Sequence, residues 1–512
     1  MRVRRIIAAE DTGPWAILPP VLPRRLAAAG TFAALALVGG SVRAAGPLGP
    51  EGSPITTSDY RIDLSRGVVL AGTRVLGLAG AYVAIAEGVD GNSANPVAPA
   101  MRSPHSHDHF DYDLGFGLTF PSAVSGTDLF NSGDRTSLSA SQNDALFVDL
   151  AANLQFGRWG TGVSLHYTTF EVAEPGGQSL GLNARFGGLR VQVARSWLDG
   201  QFLLGLGSRG TGLVIANKDP EPGEPAELFH IEGAAAEVGA LFRPNDAPYR
   251  IGVAVRSAVI TNQLSSEVTP DADGDRIITR NGTDLYLPNE VTLPWNVDAG
   301  LAVQLGPRPL NPRWIDPHQA LRRLDRYLAW KAAERRRRVS SQLAGATPSR
   351  VAALEAERTS DQALDELHRA RAERAVQAEL RRRAKALERF YVLIASSLEI
   401  TGPVRNSVGI ESFIERRVQR SGRKATYTPR LGIESEMVPN WLRLRAGTYG
   451  EPTRFESRGA KSRLHGTLGF DQKLFPWTVF GIFDDGTEWK LSAALDGARH
   501  YLGWGVSVGL WR

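Results

Sequence analysis

Residues Phe110 to Phe120 read FDYDLGFGLTF. Phe110, Tyr112, Leu114, Phe116, Leu118 and Phe120 alternate with Asp111, Asp113, Gly115, Gly117 and Thr119. Alternation of period two over this length predicts a strand with one apolar and one polar face. The pattern recurs along the chain. Leu146, Val148, Leu150, Ala152, Leu154 and Phe156 stand against Asp149, Asn153 and Gln155, and Val163, Leu165 and Tyr167 against Ser164, His166 and Thr168. Near the C-terminus, Trp489, Leu491, Ala493 and Leu495 stand against Glu488, Lys490 and Asp496.

Such strands build either a soluble sandwich, with the apolar face inside, or a membrane barrel, with the apolar face toward lipid and the polar face toward the lumen. Three features favour the barrel. The strands are about ten residues long, enough to cross a bilayer at a tilt. Short connectors, such as Gly157 to Gly160 and Val438 to Asn440, alternate with long ones at 121–144, 172–182, 217–227, 262–290 and 403–427. The polar faces carry both signs of charge, and Glu434, Glu436, Arg443, Arg445 and Lys490 are expected to face the lumen. The expected fold class is all-β: a transmembrane antiparallel barrel of about fourteen strands. The expected strands include 249–261 and 291–305, on either side of one long connector.

Ahead of the first strand lies Thr73 to Ala100, TRVLGLAGAYVAIAEGVDGNSANPVAPA, apolar, rich in Gly and Ala, and closed by an Asn-Pro turn. Through Gly77, Gly80, Ala81, Ala84, Asn95 and Pro96 it resembles the N-terminal plug, or hatch, of the FadL family, outer-membrane transporters of long-chain fatty acids and other hydrophobic compounds. That family usually continues Asn-Pro-Ala; here Val97 follows Pro96. A related barrel family, the PorV-type proteins of a secretion system, carries a similar stretch. The resemblance implies fourteen strands, capture of an apolar ligand in the outer loops, and a plug that shifts locally to pass it. It singles out Gly77, Gly80, Asn95 and Pro96 as hatch-shaping residues.

The chain has 512 residues and no cysteine, which removes disulfides, thiolate metal sites and cysteine nucleophiles. Its net charge is +5, but residues 316–390 hold 18 Lys and Arg against 11 Asp and Glu, so the basic balance belongs to one segment. Nucleic-acid binding by the whole chain loses its support. The first 44 residues read as a signal peptide: a basic start with Arg2, Arg4, Arg5, Arg24 and Arg25, a short apolar run from Ala27 to Gly40, and Val42-Arg43-Ala44 as a cleavage site. A buried N-terminal helix is the alternative.

Between the eighth and ninth expected strands, residues 316–389 change period. Leu321, Leu324 and Leu328 recur at helical spacing, and Gly345 to Pro348 interrupts the run, so a helical hairpin or bundle is expected. An insert after an even strand belongs on the periplasmic side if the first strand starts there. The Arg335–Arg338 and Arg381–Arg383 clusters read as a solvated helix face, or as contacts to anionic lipid or a cell-wall partner. The expected domains are 1–44 signal peptide, 45–108 plug, 109–315 strands one to eight, 316–389 helical insert and 390–512 strands nine to fourteen.

Three small motifs remain. Asp271, Asp273 and Asp275 alternate like a calcium loop, but position twelve is Gly282, so the choice is calcium in an outer loop or a solvated acidic turn. His105, His107 and His109 alternate on one extended segment and could hold a metal or serve as a polar connector. Gly205, Gly207 and Gly210 match a dinucleotide fingerprint in letters, but strand-like residues lie on both sides where a helix should follow. No catalytic spacing stands out, and neither an enzyme nor another cofactor is expected. Two functions follow: an outer-membrane channel for long-chain fatty acids or other hydrophobic compounds, with lipid and small hydrophobic molecules as partners, or a non-transporting barrel, a PorV-like shuttle or a scaffold anchored through its insert.

Overall fold

The structure, a computed structural model, describes residues 48–121, 127–133, 145–171, 182–217, 227–261, 268–280, 283–456, 460–483 and 486–511. The expected signal peptide at 1–44 lies outside the described residues, as do the middles of the connectors at 121–144, 172–182 and 217–227. Two compact units are present: one of Ala45–Ser106, Phe110–Trp314 and Leu387–Arg512, and one containing His107–His109 and Ile315–Ala386.

The first unit is a closed barrel of fourteen antiparallel strands. In chain order they are β1 Phe110–Phe120, β2 Leu146–Phe156, β3 Trp159–Glu171, β4 Leu182–Trp197, β5 Phe202–Asn217, β6 Glu227–Phe242 and β7 Tyr249–Arg256, then β8 Asn296–Leu305, β9 Val392–Thr401, β10 Thr426–Val438, β11 Leu442–Glu451, β12 Arg463–Pro476, β13 Glu488–Ala498 and β14 Tyr501–Leu510. Each strand pairs with its neighbours in sequence, and β14 pairs with β1 from Gly115↔Gly509 to Phe120↔Trp504 to close the ring. Closure removes the edges, so the wall satisfies its backbone groups internally, as hydrocarbon requires.

The period-two pattern explains the two faces. Leu150, Leu154, Val163, Leu165, Val191, Val193, Leu206, Ile251, Val253, Ile433, Leu468 and Leu495 are exposed on the outer surface. At the end with the short turns, Trp159, Trp441 and Trp477 are exposed as well, the place of an aromatic girdle. A closed fourteen-strand barrel with an apolar outside is a multi-pass outer-membrane barrel. Among the described residues no helix is long and apolar enough to cross a membrane.

The expected strands 249–261 and 291–305 are each shorter than the sequence pattern. Ser257 enters the ladder with its side chain: Ala236 N–H donates to Ser257 Oγ at 3.1 Å, and the wall strand stops at Arg256. Pro294 has no N–H to give, so β8 begins at Asn296. The detached pieces Val259–Thr261 and Glu290–Leu293 pair with each other. Arg61–Asp63 adds to them in parallel and pairs on its other side with Ser407–Gly409, forming a small second sheet. A buried cluster including Tyr60, Ile62, Phe186, Phe229, Val291, Val408 and Phe413 packs around it.

The second unit is a helical hairpin spliced into the chain between β8 and β9: α1 Pro317–Leu343 and α2 Pro348–Lys385. The Asp316 carboxylate caps α1 by accepting from His318 N–H at 3.0 Å, and Pro317 occupies the first turn, where no donor is needed. Gly345, at φ 82°, supplies the left-handed residue of the inter-helix turn. Leu321, Val376 and Leu380 form a small buried seam, and Asp365 accepts from Lys331 Nζ at 3.0 Å and from Arg335.

Candidate functional site

The segment ahead of β1 fills the barrel. A helical turn at Thr73–Gly77 is followed by tight bends in which Ala79, Gly80 and Ala86 all have positive φ, then by two short 3-10 turns at Val89–Ser93 and Ala98–Ala100. Leu76, Leu78, Tyr82 and Ile85 are buried against Ala302, Leu393, Ala395 and Tyr449 of the wall.

The small residues are required by close approach. A Cβ on Gly205 of β5 would lie 2.2 Å from the Pro96 carbonyl oxygen, one on Gly239 of β6 would lie 2.0 Å from Asn95 Oδ1, and one on Gly252 of β7 would lie 2.3 Å from the Val83 carbonyl oxygen. Three adjacent wall strands therefore present bare backbone to the plug. Asn95 is fully buried; its Nδ2 donates to Val83 O at 2.9 Å and lies 3.4 Å from Ala240 O and Val253 O, while its Oδ1 accepts from Val97 N–H at 3.2 Å. Gly77 lies against Gly469 of β12, and its carbonyl accepts from Thr467 Oγ1 at 3.0 Å. Gly80, at φ 77°, passes beside Arg430. Gly77, Gly80, Asn95 and Pro96 thus all sit where plug meets wall. Gly205, Gly207 and Gly210 lie within the single strand β5, with no helix N-terminus for a pyrophosphate.

A buried ladder of charges joins plug to wall. Arg74 donates through Nε to Glu434 Oε2 at 2.8 Å and through Nη2 to Glu434 Oε1 at 2.7 Å. Arg74 Nη1 also reaches Glu87 Oε2 at 3.2 Å, and Arg250 Nη1 reaches Glu87 Oε1 at 2.8 Å. Burial by itself would raise the Glu87 carboxyl, but Arg250, Arg74 and Arg308 outweigh it and hold it down at about 2. On the wall side, Arg445 bridges Glu434 and Asp471. Glu436 accepts from Arg443 Nε at 3.3 Å, and Arg443 stacks on the Trp511 ring at 4.0 Å. Lys490 Nζ stands 3.7 Å from Asp90 of the plug. All five charged wall residues singled out from the sequence face inward; their partners include plug residues no local pattern identifies. The Asp271 carboxylate accepts from the backbone N–H of Asp273 and Asp275 at 2.9 Å each, and Asp275 accepts from Ser58 N–H at 2.6 Å.

A cavity of about 230 Å³ lies in the lumen beside the plug, lined by the starts of β2, β4 and β8 and the ends of β7 and β9, hence toward the long connectors. One side is apolar, with Leu64, Val68, Val69, Val75, Phe147 and Phe186. The other carries Arg66, Arg190, Arg209, Arg256 and Arg430 against Asp149, Asp298 and Glu399. Among the described residues, Arg66 Nη2 and Arg209 Nε are buried without a hydrogen-bond acceptor, while the Nε groups of Arg190 and Arg256 stand 3.6 and 3.5 Å from Glu237 Oε2, at ion-pair distance. Arg66 lies over the Phe186 ring at 4.0 Å, and burial lowers its guanidinium to about 10, so it stays cationic at neutral pH. Arg190 and Arg209 were readable as the polar positions of alternating strands. Nothing in the local pattern around Arg66 marks it.

No family model matches the chain, and no curated protein matches it. Among solved structures it is similar to a FadL homologue of Pseudomonas aeruginosa, at 11% identity over 90% of this chain and 99% of that one, with a TM-score of 0.41. It is also similar to the monoaromatic hydrocarbon channel CymD, at 9% identity over 87% and 97% with a TM-score of 0.44. A mutant of the monoaromatic hydrocarbon channel TodX matches at 10% identity over 86% and 98%, with a TM-score of 0.45.

Proposed function

We propose that this chain is a FadL-type outer-membrane channel that takes up hydrophobic compounds, with an amphiphile bearing an anionic head, a fatty acid being the simplest, as its preferred ligand. The observation that carries the reading is the cavity beside the plug. Its apolar side accepts a hydrocarbon chain, and on its arginine side Arg66 Nη2 and Arg209 Nε are buried without acceptors, a costly arrangement that an anionic head group relieves. A greasy solute crosses a polysaccharide-coated leaflet poorly, and a dry cavity inside a closed wall gives it a path. Passage then requires the plug to move locally.

A second reading has its own support. The charge ladder from Arg74 through Glu434 and Arg445 to Asp471 ties the plug to three adjacent wall strands, which suits a non-transporting barrel, either a shuttle or a scaffold anchored by its hairpin. The hairpin's exposed Arg336, Arg337 and Arg338 suit an anionic lipid or cell-wall partner in that case. Calcium at Asp271, Asp273 and Asp275 would compete with the backbone hydrogen bonds that the Asp271 and Asp275 carboxylates accept.

Binding to the purified barrel separates the two readings. Titration with a long-chain fatty acid and with a monoaromatic hydrocarbon should give saturable binding, tighter for the acid. No saturable binding of either would sink the channel reading and leave the scaffold.

A further inference from the structure

The hairpin unit holds a group of side chains that neither reading uses. Among the described residues, His109, Asp316 and His318 bring one ring nitrogen, one carboxylate oxygen and a second ring nitrogen within 4.8 Å of one another. His109 Nδ1 lies 3.0 Å from Asp316 Oδ1, and the two imidazoles stack with centroids 4.0 Å apart at 21°. The Asp316 carboxylate is fixed by its second task, capping α1 through His318 N–H. His109 and Asp316 are half-buried and His318 is exposed.

We propose that His109, Asp316 and His318 form a site for one divalent transition cation of the Zn²⁺ or Ni²⁺ class. Two imidazoles and one carboxylate suit such ions and disfavour Ca²⁺ and Mg²⁺, which want oxygen donors alone. Tetrahedral bonds of about 2.0–2.2 Å place donors roughly 3.3 Å apart. The His109–Asp316 pair already meets that spacing. Rotation of the exposed His318 side chain closes the rest, and a fourth position stays open to water. The positive end of α1 opposes a cation here, and the Asp316 charge at the same end offsets it. The alternating histidines His105, His107 and His109 contribute one donor, His109; the other two come from the start of α1, 207 and 209 positions later. The ion would staple the residues just before β1 to the base of the hairpin.

Full-length protein purified without a polyhistidine tag tests this, by Zn²⁺ calorimetry and by the visible spectrum of bound Co²⁺. One ion per chain is expected, removable by a chelator and not displaced by excess Ca²⁺. His318→Ala removes a ligand and leaves the Asp316 cap, and His109→Ala removes another. Each should weaken Zn²⁺ binding by roughly tenfold or more, with the barrel's heat-modifiable gel mobility unchanged. Absence of binding at about 0.1 mM Zn²⁺, or equal binding by the wild type and the double variant, overturns the proposal.

Discussion

Arg74 of the plug and Glu434 of the wall meet in a two-pronged pair, Nε to Oε2 at 2.8 Å and Nη2 to Oε1 at 2.7 Å, both side chains buried inside the barrel. Each group is costly to bury alone, so the pair acts as a latch. Glu434→Ala leaves the Arg74 charge with Glu87 only, a loss on the order of 3–5 kcal/mol for a broken buried pair. The expected outcome is a folded barrel with a looser plug, seen in planar bilayers as raised, noisy ion current. A trace as quiet as the wild type would mean the latch does not hold the plug.

The Asn95 amide ties the plug bend to itself and reaches toward two wall strands. Asn95→Ala leaves the buried Val83 carbonyl without this donor and should cost about 1–3 kcal/mol. Gly205→Val puts a side chain where the Pro96 carbonyl already lies, and backbone yields less easily than a side chain. Both variants should expose the plug to protease at a lower urea concentration than the wild type. Unchanged protease resistance in both would show that the seam is not limiting.

Arg66 and Arg209 line the cavity with N–H groups that lack an acceptor. Replacing either with Ala removes a charge-assisted contact of about 1.5–3 kcal/mol, roughly tenfold or more in affinity. Fatty-acid binding should fall by that amount while binding of a neutral hydrocarbon holds. Equal loss for both ligands would point to cavity collapse and not to head-group recognition.

In the hairpin, Asp365 is held below the usual carboxylate range, first by its hydrogen bond from Arg335 and also by Lys331. A depressed folded-state value means the stabilisation is present above the unfolded carboxylate range, around pH 4, and is lost as pH falls below it. The helical circular-dichroism signal of the full chain should melt at lower temperature at pH 3 than at pH 7. Asp365→Asn should remove part of that difference; a variant with the wild-type pH response would exclude this carboxylate.

Residues 316–389 connect β8 to β9, and we propose that they lie on the periplasmic side. Replacing residues 316–389 with a short Gly-Asn turn should leave barrel assembly and heat-modifiable mobility intact. The chain has no cysteine, so one introduced in α2 is a unique reporter. An impermeant thiol reagent should fail to label it on intact cells and succeed after the outer membrane is opened. Labelling on intact cells would place the hairpin outside.

The sequence by itself determined the wall. Period-two alternation is local, because successive side chains of a strand point to opposite faces, so most strand positions and the lipid-facing residues were legible from Phe110 onward, while the count of fourteen leaned also on the plug's family resemblance. The hairpin was legible for the same reason, its leucine spacing and its Gly345 turn being local signals. Glycines in the plug could be marked but their contacts could not. What only the tertiary structure decided is which groups meet inside. Arg74 and Glu434 are 360 positions apart, and the cavity joins Arg66 to strands as distant as β10. The strand ends at Arg256 and Asn296 also depended on the fold, because the peeled-off segments pair with each other and Glu290–Leu293 pairs in turn with Arg61–Asp63, whose three residues carry no strand signal of their own. A strand pattern records which way a side chain points; closing the ring around the plug sets what it points at.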